Sequence, residues 1–397
     1  MKKNLLIIVP TLHQGGYERV AAITAKLMKE YFNVTLLIFD DKDANYDVSG
    51  VDVVNINMPS QKSKAGKAVT LFRRANTIKR IKKERKIDIA YSFGTTANLA
   101  NAFSKGREKL VTGLRCYTDM EAPRQIKLFV KKSDLILSCS REIMAVLEKD
   151  YNFNKTEFIY NPTDIETIDQ MGTEEVSDYP FEGDVRVIST MARDNYIKGI
   201  WHLIKAFSIV SKKYSDVRLM ILGRGEYKNS KKLVQDLGLE EKVCFLGVRK
   251  NPFAYVSKSD LYVLSSNHEG FPNALLEAMA LGKPVVAADC KTGPREIVLS
   301  EDELDDLLKK GTTRELMPET IEGAYGVLVR DMSEVEDIDP HHITSDDIAL
   351  AHGILGMLDS KDKMQHYSDV ARARACVYTP DKYAEDLQKI LNKLAEN

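Results

Sequence analysis

Residues 265–289, SSNHEGFPNALLEAMALGKPVVAAD, bring two glutamates, a loop glycine and a helix start close together. An apolar run ends at Ser266, a loop carries Glu269 and Gly270, and a helical pattern opens near Pro272 or Asn273. A helix start leaves backbone N–H groups without intrahelical partners, and with the helix dipole they favour an anion such as a diphosphate. Gly270 permits close backbone approach. Glu269 can accept hydrogen bonds from sugar hydroxyls, and Glu277, one turn into the helix, can do the same for a ribose diol. Taken alone, the segment fits an ordinary strand-loop-helix unit with two solvated glutamates equally well.

Other candidate chemistry is weaker. ILGRGEYK (221–228) has Gly223 and Gly225 but Lys228 where a third glycine would stand, so it fails as a dinucleotide fingerprint and argues against an NAD-dependent dehydrogenase. Asp337 and Asp339 spell D-x-D inside SEVEDIDPHHITSDD, beside His341 and His342. So acidic a stretch is expected to be a solvated face, and no metal is expected. The 5 cysteines are odd in number, scattered and without C-x-x-C spacing, as in a reduced cytosolic protein lacking structural zinc.

The elements that must position these residues form two series. Near-continuous apolar runs at 5–10, 34–39, 51–56, 87–93, 109–114, 134–140 and 157–162 alternate with helical stretches, as parallel strands covered on both faces do. A polar stretch at 161–184, with two prolines and two glycines, marks a linker. Strands at 185–191, 217–223, 243–247, 261–266, 284–289 and 325–329 follow. Two β-α-β series imply an α/β protein of two doubly wound domains, which bind ligands beyond the carboxyl ends of their strands. The expected bounds are 1–165, 166–375, and a C-terminal helix at 376–397. That helix presents Tyr383, Leu387, Ile390 and Leu394 on one face and is expected to pack back toward the first domain. No apolar run approaches the roughly 18 residues of a membrane span, and the opening MKKNLLIIVP is expected to be a first strand, not a signal peptide.

Five motifs in order now carry a resemblance. E-G-F-P-N-x-L-x-E-A-M-A-x-G-K-P-V-V resembles the signature of family 4 retaining glycosyltransferases, whose GT-B fold sets two facing Rossmann-like domains around a cleft holding the active site. PTLHQGGYERV (10–20) resembles the family's N-terminal glycine loop, and FIYNPTD (158–164) its domain junction. MARDNYIKGIWHLIKAF (191–207) resembles the donor-phosphate segment, and ILGRGE with VCFLGVRKN (243–251) the base pocket.

The resemblance implies roles residue by residue. Arg193 and Lys198 match the pair that stabilises the donor diphosphate as charge develops on it. Glu269 matches the glutamate that contacts the transferred sugar. The backbone from Phe271 through Pro272, Asn273 and Ala274 to Leu275 matches the cradle for sugar and phosphate, with Gly270 beside it in the donor site. Glu277 matches the ribose ligand. Gly15 and Gly16 would approach the phosphate from the other domain, and Gly223, Gly247, Val248 and Arg249 would hold the base. Acceptor contacts fall on Tyr17, Thr95, Asn98 and Arg115. Many relatives carry a histidine after the fourth strand; here that loop reads SFGTTANLAN (92–101), without one. The implied activity is metal-independent, retaining transfer of a hexose or N-acetylhexosamine from a nucleotide-diphosphate sugar, UDP-linked by expectation, to a lipid-linked glycan in cell-surface polysaccharide or glycolipid synthesis. No cofactor is implied. A nucleotide-sugar epimerase on this fold or a non-catalytic sugar-nucleotide sensor are the alternatives, and no acid/base set suited to an epimerase stands out.

A formal net charge of −1 conceals an asymmetry. Residues 1–165 hold 28 Lys+Arg and 18 Asp+Glu, a net +10, whereas residues 166–397 hold 29 and 40, a net −11. Much of the excess lies on 66–86, where Arg73, Arg74, Lys79, Arg80, Lys82 and Lys83 surround a stripe of Leu71, Ala75, Ile78 and Ile81. A basic amphipathic helix suits an anionic bilayer surface. With aromatic interleaving limited to Phe72, nucleic acid is not an expected partner. A cytoplasmic protein, peripheral on the inner face of the membrane, is the expectation.

Overall fold

The computed structural model describes residues 2–13, 15–42, 44–309 and 317–396. The chain divides into two compact units, Met1–Pro162 with Tyr378–Asn397, and Thr163–Val377.

The first unit is built on β1 (Asn4–Val9), β2 (Asn33–Ile38), β3 (Asp52–Asn55), β4 (Ile89–Phe93), β5 (Lys109–Leu114), β6 (Leu135–Ser138) and β7 (Thr156–Phe158). They form one sheet in the order β3-β2-β1-β4-β5-β6-β7, every neighbouring pair parallel. The strand order reverses between β1 and β4, the switch point where such sheets bind ligands. The pleat explains the unbroken apolar runs. Leu5, Ile7 and Val9 enter one core with the helix Gly16–Met28, while Leu6 and Ile8 enter another with Ile78, Ile81 and Ala97. The C-terminal helix Pro380–Glu396 belongs to the first of these layers. Its Tyr383, Ala384, Leu387 and Leu391 are buried there, and Tyr383 Oη lies 2.8 Å from Thr24 Oγ1.

The second unit contains β8 (Arg186–Met191), β9 (Val217–Leu222), β10 (Val243–Gly247), β11 (Leu261–Leu264), β12 (Val285–Ala288), β13 (Thr320–Gly323) and β14 (Gly326–Val329). The order is β10-β9-β8-β11-β12-β14-β13, parallel except for the last pair. Strand β13 escaped the sequence reading because a half-exposed edge strand of four residues has no continuous apolar run.

Two expectations change here. The stretch 161–184 is not all linker: the helix Ile165–Gly172 is capped by Asp164, whose Oδ1 accepts from Thr167 N at 3.1 Å, and Ile168 is buried. One buried apolar residue in eight is too little to show a helical period. The acidic stretch around Asp337 is not a free solvated face either. Lys205, fully buried, places Nζ 2.9 Å from Asp337 Oδ2 and donates to His342 O at 2.8 Å. His202 joins in, with Nδ1 2.5 Å from Asp347 Oδ1 and Nε2 3.0 Å from Ser333 O. The acids at 337 and 347 are therefore counter-charges for cationic and imidazole groups of the helix Ile200–Lys213.

Candidate active site

In the second unit, the loops after β8, β11 and β12 lock together at the carboxyl end of the sheet. The 3-10 turn Tyr196–Lys198 is capped by Asn195, whose Oδ1 accepts from Ile197 N at 3.1 Å. Ile197 O in turn accepts from Asn267 N at 2.8 Å, and Ser265 Oγ donates to Lys198 O at 3.0 Å. Gly199 makes this approach possible. It has φ +56°, and a Cβ there would stand 2.0 Å from Ser265 O. The consequence is a contact between side chains 71 positions apart: Lys198 Nζ donates to Glu269 Oε1 at 2.5 Å, the side chains being 19% and 12% exposed. Arg193, on the same loop, is exposed and forms no ion pair among the described residues.

Glu269 is held from below by a residue the sequence reading missed. Thr292, fully buried after β12, donates through Oγ1 to Glu269 O at 2.5 Å. Gly293 follows with φ +93°, and a Cβ there would lie 2.7 Å from Gly270 O. Behind them Arg295 grips Asp289 through Nε at 2.9 Å and Nη2 at 2.5 Å, a buried bidentate pair. The sequence signal was T-G-P shortly after a strand, a turn pattern whose importance is structural.

Pro272 opens the helix Asn273–Ala280. Leu275 N–H donates to Pro272 O at 3.1 Å, so that amide closes the first turn and leaves the cradle to earlier positions. Phe271 and Leu275 bury their side chains, and Glu277 is 8% exposed. Beneath both glutamates lies Tyr262, fully buried, whose oxygen accepts from Met191 N at 3.2 Å. Burial pushes its hydroxyl pKa well above the ordinary tyrosine value, and the nearby Glu277 and Glu269 carboxylates push the same way.

The expected base pocket is also a packed set of loops. Gly223 has φ +145°, and a Cβ there would stand 1.9 Å from Ala192 O; one at Gly225 would stand 2.0 Å from Asp194 Cβ. Asp194 Oδ2 accepts from Tyr227 N at 2.7 Å, and Gly223 N donates to Gly247 O at 2.9 Å. The G-x-G is thus needed for loop-on-loop packing, not for a dinucleotide. Val248 is 51% exposed. Arg249 is tied to Asp178 Oδ2 at 3.0 Å, and Tyr255 donates to Asp178 Oδ1 at 2.5 Å. Its guanidinium therefore supports the loop.

The first unit places its expected residues unevenly. Gly15 N donates to Tyr46 Oη at 3.0 Å, and Tyr46 Oη donates back to Gly15 O at 2.9 Å. The Glu18 carboxylate folds over Gly15, 2.3 Å from where a Cβ would be, so this helix start already faces its own anion. Gly16 is exposed and begins the helix. The Tyr17 ring covers Gly94, and Thr95 Oγ1 donates to Asp119 Oδ1 at 3.0 Å; both residues are partly exposed. Asn98 and Arg115 are different. Asn98 is fully buried, donating to Gly113 O and accepting from Ser92 Oγ, both at 2.8 Å. Arg115 is 7% exposed, donating to Tyr91 Oη at 2.5 Å and Asn161 Oδ1 at 3.2 Å. Asn98 bridges β4 and β5, and Arg115 ties β4 to the chain segment after β7, both inside the unit.

The basic helix also divides. Arg73, Lys79, Arg80 and Lys83 are exposed. Arg74 and Lys82 are internal, a correction to their expected place in the patch. Arg74 stacks 4.2 Å from the Phe39 ring centroid and donates to Met58 O, and Lys82 meets Glu108 at 2.7 Å and Asn101 Oδ1 at 2.8 Å. Each sits at the margin of the apolar stripe, where a long side chain can turn in to meet an acceptor.

Residues 173–321 match the family model described as glycosyl transferases group 1. Over 61% of this chain and 60% of the other, the sequence is 32% identical to an uncharacterized glycosyltransferase of Methanocaldococcus jannaschii. Over 98% of this chain and 99% of the other, it is 27% identical to a Campylobacter jejuni N-acetylgalactosamine-N,N'-diacetylbacillosaminyl-diphospho-undecaprenol 4-alpha-N-acetylgalactosaminyltransferase. The fold is similar to that of Anabaena HepE, solved in complex with UDP and glucose, at a TM-score of 0.73 and 19% identity over 99% of this chain and 100% of that one. With two Rossmann-like units and the motif-bearing loops in place, the chain has the GT-B fold, and its second unit carries the segment that matches the glycosyl transferases group 1.

Proposed function

We propose that this protein is a retaining, metal-independent glycosyltransferase that moves a hexose or N-acetylhexosamine from a nucleotide-diphosphate sugar to a lipid-linked glycan during polysaccharide or glycolipid synthesis. The observation that carries the reading is the Lys198–Glu269 contact beside the start of the helix Asn273–Ala280. It sets an ammonium for phosphate oxygens and a carboxylate for sugar hydroxyls side by side, next to backbone amides suited to an anion. Arg193, exposed on the same loop as Lys198, supplies a second cation. With these groups neutralising the diphosphate, the reading calls for no metal and no cofactor.

In this mechanism the acceptor hydroxyl oxygen bonds to the anomeric carbon on the face that the diphosphate leaves. The carbon–oxygen bond to phosphate breaks, and the departing phosphate oxygen takes the hydroxyl proton. Lys198, Arg193 and the helix-start amides stabilise the growing negative charge, Glu269 orients the sugar, and Glu277 takes the ribose. Tyr17 and Thr95, partly exposed in the first unit, remain the acceptor-side residues of the reading. Support for the substrate class comes from the names of similar proteins: the Campylobacter relative acts on a diphospho-undecaprenol glycan, and the Anabaena structure holds UDP and glucose. No helix among the described residues is long and apolar enough to cross a membrane, which fits the proposed peripheral site on the cytoplasmic face.

The test is transfer from UDP-, GDP- and ADP-linked sugars to an undecaprenyl-diphosphate-linked acceptor, with proton NMR of the product. An axial donor linkage kept in the product supports the reading. Inversion overturns the mechanism, and nucleotide binding without turnover points to a sensor.

A further inference from the structure

Two helices of the first unit leave an apolar ridge uncovered. On the helix Lys64–Glu84, Val69 and Phe72 are 58% and 60% exposed, and Phe103, closing the helix Thr95–Phe103, is 45% exposed. The Phe72 and Phe103 ring centroids lie 6.0 Å apart, so both helices contribute to one feature. The core beneath does not need these residues. Ala75, Ile78 and Ile81 supply the buried face of the longer helix. A contiguous exposed patch of this kind marks an interaction site more often than chance.

Cations share that outward face. Arg73, Lys79, Arg80 and Lys83 recur with Val69 and Phe72 at spacings that keep one side of an α-helix together, and all four are exposed. Among the described residues only Arg80 of the four meets an acid, Glu84 at 3.8 Å. The ridge is therefore aromatic and aliphatic toward the start of the helix and basic toward its end.

We propose that this ridge is a membrane-docking edge whose Val69, Phe72 and Phe103 side chains enter the acyl boundary of an anionic bilayer. Arg73, Lys79, Arg80 and Lys83 then lie at the level of the phosphate headgroups. Aromatic rings and basic residues on one amphipathic face suit that interface. Charge complementarity selects this partner over a second copy of the chain, because a two-fold pairing of the patch would set four cations against four. The inference deepens the peripheral location proposed above and rests on that reading. It adds apolar insertion to attraction by charge alone.

The experiment uses the full chain and vesicles of phosphatidylcholine with or without phosphatidylglycerol. The sole native tryptophan, Trp201, is buried in the second unit, so a Phe72→Trp variant reports the ridge by difference. Vesicles containing phosphatidylglycerol should shift its emission to the blue, and lipids brominated on their acyl chains should quench it. Val69→Ser, Phe72→Ser and Phe103→Ser together should weaken vesicle binding at least about tenfold. Arg73→Glu, Lys79→Glu, Arg80→Glu and Lys83→Glu together should abolish it; these surface changes serve as a second variant should the triple change disturb folding. No vesicle binding by the wild type would overturn the proposal. So would binding without acyl-chain quenching, or self-association that the triple variant abolishes. UDP binding, measured separately, distinguishes a failure here from a failure of the transferase reading.

Discussion

Lys198 Nζ lies 2.5 Å from Glu269 Oε1, joining the loops after β8 and β11 through their side chains as well as their backbones. In the proposed mechanism each group holds the other at the place where a donor would need it. Because the two act as a unit, the account predicts non-additive losses. Lys198→Ala and Glu269→Gln should each reduce transfer at least about 100-fold, and the double variant should lose much less than the product of the two. Initial rates of all four proteins with one donor check this. Fully multiplicative losses would separate their roles.

Thr292 is predicted to act on the reaction through Glu269. Thr292→Val removes the donor to Glu269 O while keeping the shape, and should lower kcat by about tenfold with little change in folding. Thr292→Ser, which keeps the hydroxyl, should restore most of it. Equal rates for the Val and Ser variants would reduce Thr292 to a packing role.

Gly199 cannot carry a side chain without moving the loop that bears Lys198. Its φ of +56° and the 2.0 Å approach of Ser265 O to a Cβ predict that Gly199→Ala destabilises the second unit by about 1–3 kcal/mol. Urea unfolding measures this, and Gly238→Ala, a positive-φ position with open space around its Cβ, isolates the backbone contribution.

Asp337 should make a pH-dependent contribution. Burial alone would raise its carboxyl pKa, but the Asp339 amide, the Lys205 ammonium and His342 outweigh that and hold it at about 2. A depressed carboxyl stabilises the fold above the ordinary value near 4, and the benefit fades as pH falls toward about 2. Asp337→Asn should therefore cost about 1 kcal/mol at neutral pH, since solvent screens a carboxylate this accessible, and cost progressively less below about pH 4. Denaturation at several pH values reads the difference. A cost independent of pH would assign the effect to packing.

Much of the architecture was legible because parallel strands covered on both faces show as unbroken apolar runs, as Leu5 to Val9 do. The helix Ile165–Gly172 and strand β13 were not, since each is short and half-exposed and shows no period. In the candidate site, the two glutamates stood out in a strand-loop-helix segment and the cations only through a family resemblance, whereas the closure of Lys198 on Glu269 depends on Gly199 and on tertiary contacts. Thr292 acts through a backbone carbonyl and so left no chemical signature. Arg74 and Lys82 could not be told from their solvated neighbours, because periodicity places a side chain on a face without saying which way a long one turns.

The central claim is that Lys198 and Glu269 form part of a nucleotide-sugar donor site. Isothermal titration of the wild type and of Lys198→Ala with UDP and UDP-sugars tests it most directly. The account predicts saturable binding that weakens at least about tenfold without the ammonium, about 1.4 kcal/mol. UDP affinity unchanged in Lys198→Ala would contradict it.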